Sequence, residues 1–250
     1  MSGRDAWHTL AAFTPARLAL GRAGNGLPTN RVLEFQLAHA RARDAVHAPF
    51  DAQGVANALG RSETQLLATQ AADRQTYLMN PDAGRSLNAD SRARLRRGVY
   101  DAALVIADGL SSTAIHAHGA SLARLVLGSL PGLNWAPVSI VTGGRVAIGD
   151  EIGEALGAEL SIVLIGERPG RTAADAVGIY LTFAPRPRIT RDADRNCISN
   201  VRPGGLALED AAHRLAWLVT ESRRIRLTGV GLKEDAPDLR SIANAGTLTK

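Results

Sequence analysis

The spacing of apolar residues changes near the middle of the chain. Up to about residue 97 the apolar positions suit helices. Arg31–His47 carries Val32, Leu33, Phe35, Leu37, Ala38 and Val46, with Thr29 as a candidate N-cap and Pro49 as the stop. Gln53–Leu59, Glu63–Ala72 and Ser91–Val99 are predicted as three further helices, and no segment here alternates as a strand would. After Tyr100 short apolar runs take over. Ala103–Ala107, bounded by Asp108-Gly109, reads as a buried strand. Val138–Val141, Leu160–Ile165 and Ile179–Phe183 are predicted as three more. Between and after them lie predicted helices at Thr113–Leu130, at Asp150–Leu156 closing on Gly157, and at Ala207–Ser222. The last places Leu208, Ala211, Ala212, Leu215 and Leu218 on one face.

Near-continuous apolar strands alternating with helices predict a parallel sheet covered on both faces. The expected architecture is therefore α/β. A small helical N-terminal domain, residues 1–97, precedes a Rossmann-like parallel-sheet C-terminal domain, residues 98–250, with the boundary near residues 95–100.

Composition adjusts this picture in three places. The 250 residues are 45% hydrophobic and 21% charged, as in soluble globular proteins, but only 4% aromatic. The core must be built from aliphatic side chains and alanine, so a partner surface would add to its stability. The net charge of +5 is unevenly placed: residues 1–97 hold 13 Arg/Lys against 8 Asp/Glu, while residues 98–250 hold 16 of each. Nearly all the basic residues are arginines, which suit fixed contacts with carboxylates and phosphates. A solvated basic surface and an acidic or phosphate-bearing partner both fit that excess. Cys197 is the only cysteine, which excludes an internal disulfide or a cysteine metal cluster and fits a reducing cytosol. Met1–Phe13 does not read as a signal peptide, and no apolar stretch is long enough to span a bilayer.

In an open parallel sheet, ligands bind beyond the carboxyl ends of the strands. Three glycine-bearing segments follow predicted strands there: Asp108–Ser111, Gly143–Val146 and Gly166–Gly170. Together they are expected to line one crevice; singly each is an ordinary strand-to-helix turn. Gly21-Arg-Ala-Gly24-Asn-Gly26 lacks the GxGxxG spacing, and neither a Walker A sequence nor a GxSxG elbow is present. His116 and His118, two apart on a predicted helix, point to different faces, and His39 and His47 have no carboxylate in a ligand pattern. No metal site is expected from them. Arg186, Arg188, Arg191, Arg195 and Arg202 mix with Asp192 and Asp194 and carry no aromatic stacking platform, which favours salt bridges or a subunit interface over nucleic acid.

These segments resemble the small (light) subunit of ethanolamine ammonia-lyase. The resemblance rests on Gly21–Gly24 with Leu27–Thr29, Phe35–Val46, Tyr77-Leu78 with Pro81–Arg85, and Val105–Ser111. It continues through Gly144–Gly153, Gly166–Gly170 and Asp194–Asn200, and runs from about Thr14 to Lys233. Asn80, before Pro81, and Arg171–Asp175 depart from the family's usual residues. The resemblance implies a hetero-oligomer whose large subunit is a TIM-type barrel holding ethanolamine and the catalytic residues. Adenosylcobalamin would lie between the chains and supply the radical conversion of ethanolamine to acetaldehyde and ammonia. By the same resemblance Val146, Glu167 and Cys197 would contact cobalamin, and this chain would contribute no catalytic residue. Val146 and Glu167 fall just past predicted strands, whereas the loop assigned to Cys197 has no position fixed by sequence. The Asp-x-His-x-x-Gly motif that ligates cobalt in other cobalamin proteins is absent, in keeping with the family's base-on mode.

Away from the resemblance, Glu167 reads first as a salt-bridge partner of Arg168 or another arginine, and Cys197 as simple core packing. Three rival readings stand beside it: a stand-alone Rossmann-type nucleotide enzyme, a basic nucleic-acid-binding module, and an assembled but degenerate subunit. No nucleic acid and no membrane are expected as partners. The expected location is the cytoplasm, with packaging in a bacterial microcompartment left open.

Overall fold

Alternate residues of the apolar runs are buried on opposite sides, as strands in a sheet interior require. On β2 (Tyr100–Ala107), Ala102, Leu104 and Ile106 join one apolar cluster, while Ala103, Val105 and Ala107 join another. The computed structural model describes residues 6–11, 13–14, 17–61, 63–170 and 173–236. Its helices before the sheet are α1 (Ala6–Ala11), α2 (Thr29–His47) and α3 (Ala52–Leu59). Next come β1 (Thr64–Ala68), α4 (Arg74–Met79), a 3-10 turn at Pro81–Arg85 and α5 (Ala89–Arg94). After β2, α6 (Ser112–Ala114) continues through a π turn, Ile115–Gly119, into α7 (Ala120–Ser129). The chain then forms β3 (Val138–Thr142), α8 (Ile148–Leu156), β4 (Ala158–Gly166), β5 (Val177–Phe183), β6 (Arg195–Val201) and α9 (Leu208–Ile225).

The six strands form one sheet in the order β1-β3-β2-β4-β5-β6. The first four in that order are parallel neighbours, while β5 and β6 run antiparallel. Residues of α3, α7 and α9 cover one face and α8 packs on the other. The connection after β2 leads to α7 and the one after β3 leads to α8, on opposite faces. The β2–β3 junction is therefore the point at which an open α/β sheet usually leaves a crevice.

Three expectations need correction. Glu63–Ala72 is not a helix: Thr64–Ala68 is strand β1, paired in register with Val138–Thr142. Its Leu66-Leu67 pair satisfies either period locally, and the distant partner strand decides. The sheet is not purely parallel, because the β4–β5 and β5–β6 connections return each strand against its neighbour. Finally, Asp194–Asn200 is largely strand rather than loop, which fixes Cys197 on β6 opposite Tyr180. Strand β1 precedes the expected boundary near residues 95–100, so the sheet draws strands from both sides of it. The departure at Arg171-Thr172 and the stretch 237–250 lie outside the described residues.

Several helices match the pattern reading closely. Asp51 caps α3 by accepting the Gly54 N–H at 2.8 Å. Helix α8 ends at Gly157, which takes φ +77°. α5 stops at Arg94, and residues 95–99 run on without helix.

Candidate functional site

The three strand-end segments do converge on one edge, but they fasten to one another. Asp108, 4% exposed, accepts the N–H groups of Gly143 and Gly144 on one carboxylate oxygen, at 2.8 and 3.2 Å. Its other oxygen faces an Arg74 guanidinium nitrogen at 3.4 Å, and that nitrogen also donates to Gly109 O at 2.8 Å. Burial pushes the Asp108 carboxyl up to about 6, against the pull of Arg74 and the glycine N–H groups. Leu110 N donates to Gly166 O at 2.9 Å. A side chain at Gly109, which sits at φ +56°, would collide with the Gly166 carbonyl. The crevice at the β2–β3 junction is thus filled by a carboxylate and its own backbone donors.

Open surface lies further along the same edge, on the face that carries α8. That helix covers β2 and β4. Over β5 and β6 the face shows Gly178, half-buried Tyr180 and exposed Cys197, with Tyr180 opposite Val163 on one side and Cys197 on the other. Glu167, at the end of β4, turns its side chain over Gly178. A Cβ on Gly178 would stand 3.1 Å from Glu167 Oε1 and 3.2 Å from Tyr180 Cε2. The missing side chain is what leaves room for both groups. Glu167 Oε1 accepts the Asn200 N–H at 3.0 Å, leaving the carboxylate further acceptor capacity. Tyr180 and Cys197 are direct neighbours across the β5–β6 pairing. Burial raises the Tyr180 phenol well above its ordinary value. Partial burial, helped by the Glu167 charge, also raises the Cys197 thiol, against the influence of the neighbouring Tyr180 phenol. That shift favours the thiol over the thiolate.

The structure accordingly brings Glu167 and Cys197 together around Tyr180. Val146 lies before the N-terminus of α8 and packs, like Tyr180, on the apolar layer beneath that helix. It also lines a cleft of about 1390 Å³ along the outer side of α8, where Glu167 and Cys197 take no part. Arg195 enters the same cleft from β6 and forms a two-pronged pair with Asp150 of α8, at 2.6 and 2.7 Å. The arginine-rich stretch is thus partly a buried clasp, as the salt-bridge reading expected.

Sequence reasoning missed Gly178, Tyr180 and Asn200. Gly178, Tyr180 and Thr182 alternate with the core residues Val177, Ile179 and Leu181, and that period of two was the available signal.

Fold and face together define the class: an α/β protein that displays a polar-lined platform on a partly uncovered sheet face. Comparison with known proteins makes the class specific. Residues 4–233 match the family described as Ethanolamine ammonia-lyase light chain (EutC). An ethanolamine ammonia-lyase small subunit of Azotobacter vinelandii is 51% identical, over 92% of this chain and 88% of its own. One of Xanthomonas campestris pv. campestris is 52% identical, over 93% and 89%. One of Pseudomonas putida (strain GB-1) is 47% identical, over 98% and 93%. The chain belongs to the ethanolamine ammonia-lyase light-chain family. Among the described residues no helix is long and apolar enough to cross a membrane.

Proposed function

We propose that this chain serves as the cobalamin-holding small subunit of an adenosylcobalamin-dependent ethanolamine ammonia-lyase. In this reading the Rossmann-like sheet, to which residues 98–250 give five strands and Thr64–Ala68 the sixth, binds cobalamin, and a large subunit holds ethanolamine and the catalytic residues. The observation that carries it is the Glu167 carboxylate, seated over Gly178 beside Tyr180 and Cys197 on the uncovered sheet face. A corrin presents a rim of amides around an apolar ring. A carboxylate with spare acceptor capacity, a half-buried phenol and a neutral thiol suit such a surface, and the gap that a Cβ would fill is already used to seat the carboxylate.

Glu167 would accept hydrogen bonds from corrin amides while Asn200 N–H holds it in place. Cys197 would contribute a small apolar contact from the sheet edge, and Val146 another from the entry to α8. The Asp108 brace keeps the β2 and β3 ends in register, so that Val146, three residues beyond Gly143, is held fast. When bound, adenosylcobalamin supplies the radical chemistry that turns ethanolamine into acetaldehyde and ammonia. The chain's own part is to bind and orient.

The test is ammonia release from ethanolamine by the large subunit and adenosylcobalamin, with and without this chain. Turnover only in its presence supports the reading. No gain, while a known small subunit activates the same preparation, overturns it.

A further inference from the structure

We propose that helix α2 is a docking arm that the large subunit grips through an acidic, apolar-bearing surface. This rests on the subunit role proposed above and adds the surface through which the chain is held.

The chain itself covers little of α2. At 1.5 Å per residue a helix of 19 residues is about 28 Å long. Ala45, in its last turn, is its only buried residue. The supports at that end are specific. Val46 O accepts Arg74 Nε at 2.5 Å, and Ala48 O accepts the Ser112 hydroxyl at 3.0 Å. Farther toward its start, Leu33 is 58% exposed, Leu37 52% and Phe35 37%. Leu33 and Leu37 share a stripe four residues apart, while Phe35 lies round the helix from them. Phe35 carries Arg17 of the same chain over its ring at 5.3 Å, so the uncovered apolar stripe is the leucine pair, which a partner surface would bury. Its N-cap, Pro28, offers no side-chain acceptor, and the Asn30 side chain takes the Arg31 N–H at 3.0 Å instead.

Two observations choose the occupant. The first is charge. Residues 17–47 carry five arginines, Arg17, Arg22, Arg31, Arg41 and Arg43, against Glu34 and Asp44. A second copy of this chain would bring the same positive charge to the contact, whereas an acidic partner is attracted to it. The second is position. Arg74, which holds the base of α2, is the same arginine that pairs with Asp108 and Gly109 at the strand-end edge. The arm therefore springs from the edge that carries the proposed cofactor face. A partner completing that face would meet α2 as well.

The test uses the full chain and the large subunit without cobalamin, so that assembly is measured apart from cofactor binding. Leu33→Glu combined with Leu37→Glu should weaken association by about tenfold or more in sedimentation or titration. Because both residues are exposed, the variant's melting temperature should match the wild type. Arg41→Glu with Arg43→Glu should weaken association as well and flatten its dependence on salt. Wild-type association by both variants overturns the arm. So does loss of self-association of this chain as the only effect, which would assign α2 to a second copy. If the wild-type pair assembles but releases no ammonia, the functional reading fails while the docking result still stands or falls by the variants.

Discussion

Asp150→Asn tests whether the most enclosed ion pair among the described residues holds the cofactor face together. The Asp150 and Arg195 side chains are only 2% and 3% exposed, and Arg195 also donates to the Thr182 hydroxyl at 3.1 Å. The pair ties α8, which follows Val146, to β6, which carries Cys197. Removing one member of a buried pair strands the other charge and costs roughly 3–5 kcal/mol. Unfolding entropy is about 2.1 cal/mol/K per residue, so a chain of 250 residues loses about 0.5 kcal/mol per degree near its midpoint. The expected fall in Tm is thus about 6–10 °C, with Asp150→Asn at the lower end, because it keeps an acceptor, and Asp150→Ala at the upper end. Thermal unfolding by circular dichroism reads it. The double variant Asp150→Leu with Arg195→Met should cost less than either single change, since an apolar pair leaves no buried charge unmatched. A single-variant cost below about 1 kcal/mol, or a double cost equal to the sum of the singles, would refute the reasoning by showing a pair that behaves as if solvated.

Three further outcomes are expected. Glu167→Gln should weaken cobalamin retention by the complex, read from its visible spectrum after gel filtration, more than it weakens assembly; equal retention by mutant and wild type would sink the role given to Glu167. Gly178→Ala should leave Tm nearly unchanged, because replacing a strand glycine gains about 0.5–1 kcal/mol and offsets the crowding. Cobalamin retention should nonetheless fall as Glu167 and Tyr180 are pushed aside, and undiminished retention would show that their placement is unimportant. Asp108, whose carboxyl is raised from 3.8 to about 6 in the fold, binds its proton more tightly folded than unfolded. Its contribution is therefore most favourable below about pH 4 and is lost as pH rises through about 6. Asp108→Asn should remove that slope from a plot of stability against pH, and an unchanged slope would assign it to other groups.

The strands legible in the sequence are β2, β3 and β4, buried on both faces, together with β5, whose run Ile179–Phe183 stands out although its Tyr180 face is partly uncovered. β2 and β4 read as unbroken apolar runs because α7 and α9 lie on one side and α8 on the other. β6 was not legible: it is an edge strand with one uncovered face, so Asn196, Cys197, Ser199 and Asn200 interrupt its apolar residues, and the β5–β6 register shifts between Val177 and Ile179. β1 was hidden for a different reason, since only pairing with β3 distinguishes Thr64–Ala68 from a helical turn. In the candidate site, Val146 and Glu167 could be placed because strand ends are readable. Tyr180 could not, because an apolar run beginning at Ile179 hides the alternation of Gly178, Tyr180 and Thr182 with the core residues of β5.

The pairing of β1 also sets an order of events during synthesis. Gln65 lies 74 residues before Ser139, its neighbour in the sheet. At about 5–20 residues per second, β3 leaves the ribosome roughly 4–15 s after β1. For that interval Leu66 and Leu67 have no strand to pair with, and α3 has no sheet to pack on. The front of the chain must wait for its middle, and until then β1 and α3 lack their native cover.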